Sequence, residues 1–427
     1  MKYNMKKVAF YTLGCKVNQY ETNGMIQKLS SKYKIVSTDE KADIYIINTC
    51  SVTNLADRKS RQMIRRAKEK NPESLVIAVG CYAQVAKEEI EKINEVDIVL
   101  GNSQKIDIEK YIDAFFEGKM TNDITVEKYY RDFGSITYTE KTRAVIKVQD
   151  GCNNFCTYCI IPYARGRICS RSKESVIDEI TKIANNGIKE VVITGIEVAA
   201  YGKDFDEKYE LIDLLEDINK IEGIERIRLG SLQPLLITEE FCTRIAKIDK
   251  LCHHFHLSLQ SGCDKTLKEM NRKYTTEEFR NVVKRLRDLY QDVILTTDII
   301  VGFPNETDED FEKTYKFLSE IKFYKMHVFK YSQRKGTVAA KMKGQVSGGV
   351  KEIRSKRLIE LSNTNEREYL KSYVGKNVEV LFEEREGKYI KGHTANYIMV
   401  KYLNEDNTIG ELKSVLIKDY SEDFLYA

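Results

Sequence analysis

Residues 151–159 read GCNNFCTYC. Cys152, Cys156 and Cys159 stand in the pattern Cys-x3-Cys-x2-Cys, with no fourth cysteine and no histidine beside them. Four soft ligands would close a tetrahedral metal site, whereas three leave a position open. The segment just upstream, RAVIKVQ (143–149), is β-rich, so the cysteine loop falls at the C-terminal end of a predicted strand. Five further strand patterns follow: EVVITG (190–195), RIRLG (226–230), HFHLSLQ (254–260), VILTTDIIVG (293–302) and KMHVFKY (325–331). Helical patterns such as EDFEKTYKFLSEI (309–321) separate them. Strands alternating with helices predict a parallel sheet. Six such units suit an open, partial TIM-like (β/α)6 barrel, a fold that places its chemistry at the strand C-termini.

Towards the N-terminus the same alternation occurs in a shorter form. KVAFYTL (7–13), DIYIINT (43–49), SLVIAVG (74–80) and DIVLG (97–101) predict an open parallel α/β domain over 1–117. Residues 118–140 are polar and lack periodicity, which predicts a linker. The barrel is expected over 141–370, ending in a charged helix near 350–370. Beyond it, VGKNVEVLFEE, YIKGHTANYIMVKYL and LKSVLIKDY alternate apolar and polar residues, predicting a small antiparallel β domain over 371–427.

Composition sets outer limits. The 427 residues carry 42% hydrophobic and 31% charged residues and a formal net charge of +4, ordinary for a soluble multidomain protein. No run approaches the ~18 apolar residues of a membrane span, and the start carries no signal-peptide pattern. A cytoplasmic location without membrane association is expected. Ten cysteines in that compartment favour metal or redox chemistry over disulfides.

Three more cysteines share a placement. Cys15, Cys50 and Cys81 each come just after a predicted strand, in TLGCKVNQYET, INTCSVT and VGCYAQ. Strand C-termini of an open α/β sheet share one edge, so residues scattered over 66 positions can meet there. Buried small hydrophobes are the alternative reading. Cys169, Cys242, Cys252 and Cys263 have no ligand spacing and are expected in the core. His254 and His256 are read as packing and hydrogen-bonding residues on a strand. The barrel triad itself has two readings: a zinc knuckle completed from a distance, or a 4Fe-4S cluster whose fourth iron is open to a ligand.

The barrel loop resembles the radical S-adenosylmethionine superfamily, and KVQDGCNNFCTYCIIPYARGR (147–167) resembles its methylthiotransferase branch. The resemblance spans the whole chain, with the C-terminal domain similar to the TRAM fold. It implies two 4Fe-4S clusters, one on Cys152, Cys156 and Cys159 and an auxiliary one on Cys15, Cys50 and Cys81. It also implies S-adenosylmethionine as cofactor, cleaved to a 5′-deoxyadenosyl radical, with Glu197, Gln260 and Asp298 as polar contacts. TLGCKVNQYET, CIIPYARGR and HFHLSLQSGCD are most similar to enzymes that insert a methylthio group at C2 of N6-threonylcarbamoyladenosine 37 in tRNA. Implied partners are tRNA, an electron donor such as flavodoxin or ferredoxin, and a sulfur donor. Isopentenyladenosine in tRNA or a ribosomal-protein aspartate is the alternative target. A non-catalytic metal-containing RNA-binding protein is the alternative class. The chain departs from the family pattern at Glu197, Gln233, Lys330 and Cys169, where His, Glu, Pro and Arg are common. Arg58, Lys59, Arg61, Arg65, Arg66, Lys68 and Lys70 form a basic stretch that fits either a solvated face or an RNA-phosphate contact. Tyr389, Tyr397 and Tyr402 are expected to pack rather than stack on bases.

Overall fold

The structure, a computed structural model, describes residues 5–119, 129–138, 142–403 and 408–427. The first sheet contains β1 (Lys7–Thr12), β2 (Lys34–Ile35), β3 (Ile44–Thr49), β4 (Leu75–Gly80) and β5 (Ile98–Leu100). They lie in the order β2-β1-β3-β4-β5, all parallel. Every residue of β3 and β4 is buried, because helices cover both faces. The chain crosses from one side of β1 to the other between β2 and β3, so the crevice outside the carboxyl ends of β1 and β3 is a topological switch point. The two-residue edge strand β2 has no sequence pattern long enough to detect.

Six parallel strands form the central barrel: β6 (Arg143–Asp150), β8 (Glu190–Gly195), β9 (Arg226–Leu229), β10 (His254–Gln260), β11 (Ile294–Val301) and β12 (Lys325–Lys330). A two-residue strand, β7 (Cys169–Ser170), pairs antiparallel with β6. Single bridges, Ile227 to Leu251 and Leu232 to Leu257, join the β6–β9 half to the β10–β12 half. Ile146, Ile193, Leu257, Leu286 and Leu318 belong to one continuous core between strands and helices. Thr275 with Glu278 and Thr307 with Asp310 form capping boxes that start two of the outer helices. All six predicted strands are present, and the barrel is open as expected.

The helix Gly348–Lys371 packs on β12 and leads into the last sheet. That sheet comprises β13 (Asn377–Glu386), β14 (Tyr389–Thr394), β15 (Met399–Leu403), β16 (Leu412–Leu416), β17 (Asp419–Tyr420) and β18 (Leu425–Tyr426). Its pairs are antiparallel except β15 with β18. Arg226 and Arg228 of β9 donate to backbone carbonyls of Glu379, His393, Thr394 and Ala395, tying this sheet to the barrel.

The predicted linker at 118–140 lies partly outside the described residues. Its described residues, 129–138, form an extended segment that ties the neighbouring regions together. Phe133 packs over Gly24, where an added Cβ would lie 2.6 Å from the ring. Arg131 bonds Asp107 at 2.7 Å, and the Tyr130 hydroxyl donates to the Lys147 carbonyl.

Candidate functional site

Cys152, Cys156 and Cys159 sit on the loop that leaves β6 and are half-buried. The loop's hydrogen bonds point at its sulfurs. The Asn154 backbone N–H donates to the Cys152 Sγ at 3.4 Å, and Arg272 Nη1 donates to the Cys156 Sγ at 3.4 Å. Phe155 between them takes a positive φ of 45°, and Asn271 holds its carbonyl. Burial pushes the Cys159 thiol up to about 12, and it pushes Cys152 up as well, reinforced by Glu197. A bound cation must displace those protons, so metal binding here releases protons.

Cys15, Cys50 and Cys81 converge at the switch point of the first sheet. An added Cβ at Gly14, whose φ is +99°, would lie 2.9 Å from the Cys50 Sγ. The Cys50 thiol is pushed up to about 11 by burial and by the neighbouring Cys81 and Cys15 thiols. Three helix N-termini surround the group. Cys15 caps α1 (Lys16–Leu29), Cys81 opens Cys81–Val85, and Thr53 caps α2 (Asn54–Lys70) just after Cys50. Helix N-termini favour thiolate over thiol.

The two triads face each other across a buried charge network. Arg165, six residues after Cys159, donates its Nε to the Cys81 Sγ at 3.2 Å. Its other nitrogens bond Glu21 at 2.8 Å, Asp150 at 3.0 Å and Asn18 at 2.7 Å. Lys105 and Lys147 also pair with Glu21, and Lys147 with Asp150. Burial opposes the charge on Glu21, but the three cations outweigh it and hold its carboxyl well below the usual range. Two carboxylates against three cations leave a net positive charge beside the sulfurs, which suits an anionic thiolate cluster. A second clamp runs from the loop after β12. Arg334 bonds Ser51, Asn54 and Asp57, all close after Cys50. None of this network was predicted, because charged residues in sequence read as surface.

Ligand spacing separates a cluster from a single ion. Among the described residues, the group of three potential ligands whose donor atoms all lie within 4.8 Å is His256, Asp298 and His327. Neither cysteine triad is that tight. Thiolates on one tetrahedral zinc stand ~3.8 Å apart, given a Zn–S bond of about 2.3 Å. Thiolates on separate irons of a cube stand wider than that.

The three expected cofactor contacts are dispersed. Glu197 accepts a bond from the Cys152 Sγ at 2.9 Å and lines a cavity of about 370 Å³ with Cys156, Gln233 and Arg272. Asp298 lies inside the barrel, 3.3 Å from the His256 Nε2, and lines a separate cavity of about 690 Å³. Gln260 ends β10 at a φ of +71° and lines neither. Among the family departures, Gln233 accepts from Arg272, Lys330 pairs with Glu352, and Cys169 is half-buried near Asp204. Cys242, Cys252 and Cys263 are buried as expected. Arg61 is tied to Tyr82 and Glu89, and Lys68 and Lys70 also have partners. Arg58, Lys59, Arg65 and Arg66 are exposed. Tyr389 and Tyr402 pack on Tyr426 and Phe382.

Residues 146–318 match the model of the radical SAM superfamily, and residues 7–101 match the uncharacterized protein family UPF0004. The chain is 41% identical over 424 residues to the threonylcarbamoyladenosine tRNA methylthiotransferase MtaB of Bacillus subtilis, covering 97% of this chain and 94% of that one. It is 42% identical to the protein of the same name from Aquifex aeolicus, covering 96% and 100%. It is 37% identical to the tRNA-2-methylthio-N(6)-dimethylallyladenosine synthase of Alkaliphilus oremlandii, covering 96% and 90%. In fold it is similar to the radical S-adenosylmethionine methyltransferase TsrM of Kitasatospora setae, with a TM-score of 0.58 at 16% identity over 78% of this chain and 77% of that one. The chain belongs to the methylthiotransferase family of radical S-adenosylmethionine enzymes. It is accordingly a transferase of sulfur-containing groups whose barrel uses a 4Fe-4S cluster and S-adenosylmethionine.

Proposed function

We propose that the chain inserts a methylthio group at C2 of N6-threonylcarbamoyladenosine 37 in tRNA. The observation that carries this reading is the pairing of two three-cysteine sites, each at strand C-termini, joined by Arg165 at the Cys81 sulfur. Identity of 41% to a methylthiotransferase of that specificity supports it. In this reading Cys152, Cys156 and Cys159 hold one 4Fe-4S cluster, and Cys15, Cys50 and Cys81 hold a second. The boundaries that follow are 1–117 for the auxiliary-cluster domain, 118–140 for the connection, 141–370 for the barrel and 371–427 for the TRAM-like sheet.

When bound, the clusters and S-adenosylmethionine supply the one-electron chemistry that an unactivated adenine C2–H bond requires. The protein's share is positional. Glu197 and Gln233 present polar groups beside Cys156 in the cavity of about 370 Å³, where the cofactor's polar end fits. Arg165 and Arg272 donate to sulfurs of the two sites and tune them by charge and hydrogen bonding. The ion network fixes the separation of the sites, which sets the geometry of transfer. Partners in this reading are tRNA, an electron donor such as flavodoxin or ferredoxin, and a sulfur donor, in the cytoplasm. Among the described residues no helix is long and apolar enough to cross a membrane.

Mass spectrometry of tRNA nucleosides from cells lacking the gene and re-expressing it tests the reading. The 2-methylthio derivative of N6-threonylcarbamoyladenosine should vanish and return. Loss of the isopentenyl derivative instead would assign the other tRNA target.

A further inference from the structure

The cavity of about 690 Å³ is where the three regions of the chain meet, and it falls within the roughly 300–1,000 Å³ of ligand sites. Cys15 and Lys16 enter it from the first sheet, His254, His256 and His327 from the barrel, and Tyr397 from the C-terminal sheet. A smaller cavity of about 270 Å³ shares Cys15, Lys16 and Tyr397 and adds Arg143 and Arg228. Its wall is aromatic. Tyr397 is stacked between His254 and His393, with ring centroids 5.0 Å and 4.7 Å away. Its φ of +73° is a conformation that a tyrosine rarely adopts and that the surrounding packing must hold.

Among the described residues, the lysines and arginines that line these two cavities pair with carboxylates, with one exception. Arg143 pairs with Glu383 at 3.0 Å, Arg228 with Glu190 at 2.7 Å and Lys325 with Glu366 at 2.8 Å. His256 lies 3.3 Å from Asp298 and His393 2.7 Å from Glu383. Among the described residues no carboxylate forms an ion pair with Lys16, which is exposed to the cavity next to Tyr397, Arg143 and Arg228. An ammonium group held among guanidinium groups, facing a cavity with a planar aromatic wall, calls for an anion carried on a flat ring.

We propose that Lys16 binds the carboxylate of the threonylcarbamoyl arm and thereby selects the anionic base over an uncharged one. The proposal rests on the function proposed above and names its specificity determinant. Placement supports it. In adenine only N1 separates C2 from C6, the carbon bearing the N6 arm. A cation one residue from Cys15 therefore lies on the side of the ring where sulfur arrives. An apolar dimethylallyl arm would offer the ammonium no partner, so the charged arm is favoured over it.

The test uses the reconstituted enzyme and two synthetic anticodon stem-loops, one with the threonylcarbamoyl carboxylate and one with its carboxamide. Wild type should lose roughly tenfold to a hundredfold in kcat/KM on the amide, the range for a charged hydrogen bond. Lys16→Met should lose a similar factor on the carboxylate and little more on the amide, because the two changes remove one interaction. Lys16→Arg should recover part of the loss. Cofactor cleavage without RNA should be unchanged in Lys16→Met, which separates the substrate carboxylate from that of S-adenosylmethionine. Equal losses on both stem-loops would assign Lys16 to an RNA phosphate and overturn the proposal. Equal wild-type rates on carboxylate and amide would overturn it whatever the variant does. No methylthio product from the carboxylate stem-loop with wild type would instead overturn the proposed function.

Discussion

The two cysteine sites are built in opposite ways. The barrel site takes its three sulfurs from eight consecutive residues, Cys152 to Cys159, and its geometry is that of one loop with hydrogen bonds to its own backbone. The N-terminal site takes its three from the ends of β1, β3 and β4, and exists only once a parallel sheet has formed. The first is a local motif and the second a product of topology. They also differ in support. Helix N-termini and a glycine cradle surround the N-terminal site, whereas Arg272 and Glu197 reach the barrel site from loops elsewhere in the barrel. The sites meet at Arg165, which ends the short helix Ile161–Arg165 just after the loop of one and donates to a sulfur of the other.

The sharpest way to break the comparison is to delete a barrel sulfur. Cys156→Ala should abolish reductive cleavage of S-adenosylmethionine, because the cluster has no spare ligand. Robust 5′-deoxyadenosine formation under dithionite would show that this loop is not the cleavage site. The next effect is on the connection. Arg165→Leu leaves Glu21 and Asp150 short of a buried cation and should cost about 3–5 kcal/mol of stability, read as a lower denaturation midpoint. Arg165→Lys should restore part of that stability but not the donor to Cys81, since an ammonium lacks the guanidinium fork. An unchanged midpoint in the leucine variant would mean that the two regions are held by other contacts. A smaller effect is expected on α2. Reversing charge at Arg58, Arg65 and Arg66 should weaken tRNA binding several-fold and lower the salt slope by roughly one unit for each phosphate that is no longer neutralised. Unchanged affinity and slope would leave that helix a solvated face.

Much of this was legible in the sequence where the signal is periodic or local. The strands of both α/β units stand within a residue or two of their predicted bounds, because Val- and Ile-rich runs between turn residues can form little else. The barrel triad is local and needs no fold to be seen. Cys15, Cys50 and Cys81 were legible only through the rule that strand ends share an edge. The ion network of Glu21, Lys105, Lys147, Asp150 and Arg165 was not legible, since nothing in one dimension distinguishes a buried lysine from a surface one. Lys16 was missed for the same reason: that no carboxylate among the described residues forms an ion pair with it is visible only once the neighbouring lysine and arginines have been paired.

In the function proposed above the two sites divide the labour, one starting the chemistry and the other delivering sulfur. Cys50→Ala tests it most directly. Its backbone position at the end of β3 tolerates a small residue, and circular dichroism should match wild type. After anaerobic reconstitution the variant should carry roughly half the iron of a two-cluster protein. It should still cleave S-adenosylmethionine to 5′-deoxyadenosine when reduced, and it should form no 2-methylthio nucleoside on tRNA. A folded Cys50→Ala protein that forms the methylthio product at the wild-type rate would contradict the division and leave Cys50 a buried structural thiol.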